Sequence, residues 1–486
     1  MKPQSIFFYK STKKKVYDIV KDLVNFINVY IKKNQILKKL FYDLSLILNV
    51  PKEILEKRSK QILFKSYEFE KKKFNTNYNL INVFYDFIFL ICFLIIFLIN
   101  GLIYKKNKRK KVDLICDNIY TKNDFNRHKY FSNYFNSILL IGYKSLDFKH
   151  KKTEFINIRK DFFKYTDFSF TKRIFLIFFI FKIFLYSIFF RMNLIYIFRF
   201  LIYDFIKYKR LYSEYDGKYY FNYRFYDTNV LQNYLFKENG GLKTSCFQKN
   251  ICTLSLSCFV YSDIFFSLGN YQGEICNKLG GEIKFFKPVG SFVMENNWFK
   301  RKKDFSKIPN IDILILGINA PWPRGCINND YHNSYYKKFL PWIKKISSDF
   351  PNKKIFYKHH SDFLGDSRET NILSDTNIEI IIGDKSINSS YAWAFKSKIV
   401  LSFASTMIVE LLGNNKEAYF IDPDGINDQW YYGINNIKKY RINTYNNLKK
   451  IIKRKYKKKN ISIKNRNFYC LNSKNTKKNI SKYLKV

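Results

Sequence analysis

An α/β fold of two Rossmann-like domains, preceded by a helical and membrane-associated N-terminal region, is what this sequence predicts, and three observations carry it. The chain has 486 residues, too many for one compact core, and divides into two or three domains. Short apolar runs with almost no charge recur between helical stretches, the pattern of parallel strands buried on both faces. Lys398 to Asp424 shows the unit whole. Ile399 to Phe403 is a buried strand, Ser405-Thr406 opens a helix at Met407 to Gly413, and Ala418 to Ile421 is the next strand, closed by Asp422-Pro423. In such a unit ligands sit at the carboxyl ends of the strands, where free N–H groups at the helix start suit a phosphate. Ser and Thr also cap helices generally, so both roles stay open at Ser405 and Thr406.

Residues 1–78 read as helices, with stripes Val16, Ile19, Val20, Leu23, Ile27 and Ile36, Leu37, Leu40, Phe41, Leu44. Packing against a core or lying on a surface would both use them. Residues 79–111 contain Phe87 to Tyr104, 18 residues interrupted only at Asn100-Gly101 and followed by the basic run 105–111. That length is at the short end of the ~17 to 25 residues of a spanning helix. The basic cluster keeps the downstream chain cytoplasmic. Ile174 to Phe190, inside an apolar helical insertion near 172–208, is the second such stretch, and a monotopic dip fits its charged flanks as well as a span does.

The first α/β domain is assigned to 112–297. Its strands are Val112 to Asp117, Ser137 to Gly142, Tyr219 to Phe221, Gly240 to Gln248, Asp263 to Gly269 and Ile283 to Phe286, with a helix near Asn229 to Lys237 and a Val289-Gly290-Ser291 exit. Residues 298–310 are the linker. The second domain, 311–450, opens with Asp312 to Gly317 and a loop at Ala320 to Gly325. It continues with a helix over Tyr335 to Ser347, a strand ending Lys358-His359-His360-Ser361-Asp362 and a turn at Gly383 to Ser386. A basic helix is expected over Lys438 to Lys459, within and beyond which 451–486 forms a basic polar tail.

The formal charge of +47 would ordinarily suggest nucleic acid. Lys, Asn, Ile, Phe and Tyr are enriched together, however, with 51 Phe and 39 Tyr. The lysines are spread throughout with no nucleic-acid motif to focus them, so a specific nucleic-acid partner is not expected. Anionic membrane surfaces and anionic substrates are. Eight cysteines form no C-x-x-C pair and have no histidine company, so no zinc site is expected. Without a cleavable signal peptide they fit a reducing cytoplasm.

The stretches FYKHHSDF, SFASTMIVELLG and AYFIDPDG together resemble the donor half of GT-B-type glycosyltransferases of bacterial surface carbohydrate, the capsule and polysialic-acid-like group, over about residues 310–435. Members often show Lys-x-His-Pro at one strand end, a Ser-Thr pair followed by Glu on a later helix, and Asp-Pro after the next strand. His360 matches the histidine and Ser361 replaces the proline; in the first half, Gln248-Lys249-Asn250 stands where members often have Gln-His-Gly. The resemblance implies two domains facing a cleft. It further implies a nucleotide-activated sugar as donor, a surface polysaccharide or its lipid-linked precursor as acceptor, and inverting chemistry.

On this reading Ser405 and Thr406 hold the donor phosphate, His360 with Lys358 neutralises it on departure, and Glu410 contacts ribose or base. His359, Ser361, Ser402 and Asp422 complete the donor pocket. Asp227, or else Asp117, is the base. No compact Asp-x-Asp calls for a divalent metal, so neither a metal nor a separate cofactor is expected. Transfer of a polyol phosphate from a CDP-alcohol, or a non-catalytic membrane scaffold, are the alternatives. The expected location is the cytoplasmic side of the inner membrane, peripheral or single-span.

Overall fold

The computed structural model describes residues 16–69, 79–103, 108–143, 150–158, 168–270, 273–295, 308–318, 329–360, 367–382, 390–426, 439–454 and 461–486. Ser361, the Ala320 to Gly325 loop, the Gly383 to Ser386 turn and most of the linker lie outside them.

Two wholly parallel sheets organise the chain. The first contains β1 (Lys110–Ile119), β2 (Ile138–Gly142), β3 (Thr153–Asn157), β4 (Tyr215–Asn222), β5 (Lys243–Phe247), β6 (Tyr261–Ser267) and β7 (Glu282–Pro288), in the order β3-β2-β1-β4-β5-β6-β7. The second contains β8 (Ile311–Leu316), β9 (Ile355–Lys358), β10 (Glu379–Ile381), β11 (Ser397–Ser402), β12 (Ala418–Ile421) and β13 (Arg441–Ile442), in the order β10-β9-β8-β11-β12-β13. In each sheet the chain reverses direction of growth beside its first strand, which places the switch points between β1 and β4 and between β8 and β11. The two Rossmann-like domains expected from the sequence are therefore present.

The apolar runs exist because both faces of the sheets are covered. On β1, Leu114 and Cys116 join one core cluster while Ile115, between them, joins another. The Ile115 side is covered by α1 (Val16–Lys33), α2 (Gln35–Leu48), α3 (Lys52–Phe69), α7 (Leu194–Glu214) and α8 (Val230–Glu238), whose stripe residues Ile27, Leu40 and Leu201 are fully buried there. The N-terminal helices are thus part of the first domain's core rather than an appendage.

Between them run α4 (Leu80–Ile103) and, after α5 (Lys122–His128), α6 (Phe170–Phe189). These two apolar helices pair antiparallel. Phe87 stacks on Phe184 at 4.1 Å near one end, and Arg173 lies 4.3 Å from the Phe97 ring near the other. Among the described residues α4 is the one helix long and apolar enough to cross a membrane, and 33% of that stretch is buried. Its Asp86 pairs with Arg199 of α7 and accepts from Asn193 at 3.2 Å, fixing it to the domain.

The C-terminal end departs from expectation. The basic helix assigned to Lys438–Lys459 starts later, at Tyr445, because Arg441–Ile442 instead pair with Phe420–Ile421 as the edge strand. The tail is not a polar extension. It crosses back to the first domain, where Leu471 N donates to Leu268 O at 2.8 Å and Ile480 and Leu484 are buried on the second face of that sheet. Gly290, with φ of +90°, makes this return possible: a Cβ there would sit 3.0 Å from Leu471 O in a backbone region that side chains rarely adopt.

Candidate active site at the junction of the domains

The helix after β11, here α9 (Thr406–Gly413), points its start at the first domain. Ser405 is its N-cap, accepting from Met407 N at 3.3 Å. Thr406 Oγ1 accepts from Ile251 N at 3.1 Å, so the loop after β5 reaches this helix end. One turn on, Glu410 is fully buried. Its Oε1 accepts from Ser291 of the first domain and its Oε2 from Tyr391 Oη at 2.6 Å. Both carboxylate oxygens are engaged, so Glu410 in this arrangement fastens one domain to the other. Ser405, Thr406 and Glu410 are the sequence-assigned residues that the fold brings to the junction.

Burial pushes the Glu410 carboxyl from 4.5 up to about 7, against the lowering effect of Ser291, Tyr391 and the Arg127 guanidinium. The folded state therefore binds the proton more tightly than the unfolded chain. The stability this group contributes is full below about pH 4.5 and is lost as pH rises through about 7, a change on the order of 3 kcal/mol. Glu410→Gln, which stays neutral, should flatten the fall in melting temperature between about pH 5 and about pH 8. An unchanged slope would exclude Glu410 as its source.

The histidine strand is divided between structure and surface. Tyr357 of β9 shares a 2.6 Å hydrogen bond with Tyr335, whose hydroxyl donates to Glu369 at 2.5 Å, and the other Glu369 oxygen meets His359 Nδ1 at 2.6 Å. His359 is buried in this chain of polar groups, and its Nε2 has no hydrogen-bond partner among the described residues. Lys358 is buried beside it, while His360 is half-buried. Ser402 and Asp422 are also fully buried: Ser402 Oγ donates to Leu316 O at 3.1 Å, and Asp422 accepts from Ile426 N at 2.9 Å. These bonds shape strand ends.

In the first domain, Asp117 is enclosed on β1, accepting from Tyr220 Oη at 2.9 Å and Gln232 Nε2 at 3.0 Å, and burial pushes its carboxyl up. Asp227 is accessible. It lines a small open pocket, about 30 Å³, with Lys65, Tyr226 and Ser255, and Lys65 Nζ stands 3.3 Å away.

The sequence reading missed the group beside it. Tyr120 directly follows β1 and Arg224 lies two residues past β4, at the switch point, and Lys249 lies two past the neighbouring β5. Arg224 sits 4.4 Å above the Tyr120 ring. Arg127 of α5 donates to Tyr223 Oη at 3.2 Å and pairs with Asp124 at 3.3 Å, and Lys249 Nζ is 5.5 Å from the Tyr223 ring. Burial and the Arg224 guanidinium push Lys249 down to about 8. Arg127 also raises no isolated field: it acts on Tyr391 and Glu410 across the junction.

No family model matches the chain and no curated protein does. It is similar to solved structures. The wall teichoic acid polymerase TagF aligns over 83% of this chain and 97% of its own at 9% identity, with a TM-score of 0.45. The UDP-GlcNAc 2-epimerase from Neisseria meningitidis bound to UDP-GlcNAc aligns over 77% and 99% at 13% identity, TM-score 0.42. An S. aureus MnaA–UDP co-structure aligns over 77% and 96% at 9% identity, TM-score 0.42.

Proposed function

We propose that the chain is a glycosyltransferase that moves a sugar from a nucleotide-activated donor to a surface polysaccharide or its lipid-linked precursor, with inversion. The observation that carries this reading is the meeting of the two domains across the carboxyl ends of both sheets, with Ile251 against Thr406 and Ser291 against Glu410. In the proposed reaction Asp227 takes the proton of the acceptor hydroxyl, whose oxygen attacks the anomeric carbon. The bond from that carbon to the donor phosphate breaks, and the nucleotide leaves with the negative charge. The positive end of the α9 dipole, the Thr406 hydroxyl and the His360 imidazole stabilise that charge.

A thermal-shift screen against CMP, CDP, UDP, GDP and dTDP tests the donor half. A ligand that binds the folded state at a hundred times its dissociation constant adds roughly 2.7 kcal/mol. One nucleotide should stabilise the wild type, and His360→Ala and Thr406→Ala should lose the response. CDP as the responder would favour polyol-phosphate transfer, and no responder at all would overturn the transferase reading.

The same reading places the enzyme on the cytoplasmic face of the inner membrane. Its support is a bare apolar face on the α4/α6 pair: Ile81, Tyr85, Ile88 and Ile99 on α4 are exposed, as are Phe175, Phe178, Leu185 and Phe189 on α6. Both stripes fall at helical spacing, at intervals of three, four, seven or eleven residues, on helices whose inner faces are fastened to the domain, an arrangement suited to dipping into one leaflet. Exposed Lys108, Arg109 and Lys111 follow α4, where anionic headgroups would lie.

A further inference from the structure

Three cations converge at the first-domain switch point with fewer carboxylates than they need. Arg127, Arg224 and Lys249 come from three different connections, yet each acts electrostatically on Asp124. Burial raises the Asp124 carboxyl, but these charges together with His128 hold it below the ordinary range. A second carboxylate, Asp227, acts on Arg224 and Lys249 but is shared with Lys65. Arg127 Nε and Arg224 Nε are buried donors with no hydrogen-bond partner among the described residues. Leaving a buried guanidinium donor unmade costs on the order of 1–3 kcal/mol, so two such donors beside a half-buried ammonium describe a cradle with unfilled donors among the described residues.

The residues' placement fixes the chemistry. Like charges at close range repel, and Lys249 is depressed first by burial and then by the Arg224 and Arg127 guanidiniums. A group bearing two negative charges and several acceptor oxygens would relieve that repulsion and fill both arginine donors at once. Tyr120 and Tyr223 flank the cations, with Arg224 4.4 Å from the Tyr120 ring and Lys249 Nζ 5.5 Å from the Tyr223 ring. Asp227 borders the same cluster electrostatically, since it acts on both Arg224 and Lys249.

We propose that Arg127, Arg224 and Lys249 form a binding subsite for a phosphomonoester, the phosphate carried by the acceptor. Assignment to the acceptor rests on the transferase reading above; the anion site itself does not. Held there, the phosphate would bring a neighbouring hydroxyl beside Asp227, while the donor phosphate stays on the α9 side of the junction. The phosphomonoester can be soluble or a lipid headgroup.

The test titrates the full-length protein with glycerol 3-phosphate at constant ionic strength, following melting temperature, with chloride as the control. Wild type should show saturable stabilisation, and Lys249→Gln and Arg224→Gln should each weaken its midpoint by about tenfold or more, the loss expected for a charge-assisted bond. Lys249→Arg, which keeps the charge, should retain it and guards against a folding defect. Thr406→Ala should leave this response intact while removing the nucleotide response, so loss of one reading is distinguishable from loss of the other. Flotation on phosphatidic acid against phosphatidylglycerol vesicles identifies the source: a Lys249→Gln defect confined to phosphatidic acid assigns the phosphate to a lipid, and no difference assigns it to a soluble acceptor. Equal midpoints in wild type, Lys249→Gln and Arg224→Gln, or a response that chloride reproduces, would overturn the subsite.

Discussion

Aspartate at Phe175, Phe178, Leu185 and Phe189 should release the protein from anionic phospholipid vesicles while leaving its nucleotide response intact. All four are exposed on one stripe of α6, away from the face that holds Leu176, Phe179, Ile180 and Ile183 in the core. Full burial of a large apolar side chain is worth about 1.5–3 kcal/mol, and only the outer half of these is available to lipid. Even so, four of them sum to roughly 3–6 kcal/mol, or two to four decades in partition, before the cost of placing carboxylates against anionic headgroups. The basic residues after α4 add about 1 kcal/mol each and are screened by salt, so high salt should weaken wild-type binding without abolishing it. Co-flotation of the quadruple variant at wild-type levels would reject a membrane role for this face. So would a wild type that ignores vesicles and self-associates instead, which would mark the face as a contact between copies.

The same helices show what the sequence makes legible. Their apolar content was plain, but not that Phe87 and Phe184 stack, which joins the two candidate spans into one paired element seated on the first domain. Strands with both faces buried, such as β8 and β11, announce themselves because every residue of Ile313–Leu316 or Ile399–Leu401 must be apolar. The edge strands β3 and β13 do not: β3 is Thr-Glu-Phe-Ile-Asn, mostly half-buried, and β13 is two residues long. The candidate site divides in the same way. The hydroxyl turn at Ser405 is local and therefore readable. The contact of Ser291 with Glu410 joins residues 119 apart, and Arg127, Arg224 and Lys249 meet only because the strand order reverses between β1 and β4. In a chain with 86 Lys and Arg, a single basic residue past a strand carries no signal of its own.

Asp204→Ala should destabilise the first domain by about 3–5 kcal/mol, the cost of stripping the counter-ion from buried cations. Asp204 lies on α7 and its Oδ2 accepts from Arg58 Nε at 2.8 Å, from Arg58 Nη2 at 2.6 Å and from Asn229 Nδ2 at 3.0 Å, while Lys207 stands 3.3 Å from Oδ1. Asn229 caps α8, and Gln61, which accepts from Arg58 at 3.1 Å, donates to Thr228 O at 2.9 Å and Phe259 O at 2.8 Å. One carboxylate thus ties the N-terminal helices to the end of β4 and the start of β6. Burial would raise its pKa, but Arg58 and Lys207 hold it below the usual 3.8, so its contribution is present above about pH 4 and fades only as pH falls through the lowered folded value. For a domain of this size the loss corresponds to a melting shift on the order of 10 °C, with no pH dependence between neutrality and about pH 5. Pairing Asp204→Leu with Arg58→Leu should recover part of it, because two apolar groups leave no bare charge between them, although Lys207 keeps the recovery incomplete. If Asp204→Ala melts with the wild type, the N-terminal helices are held by apolar packing alone and the ion pair is incidental to their docking.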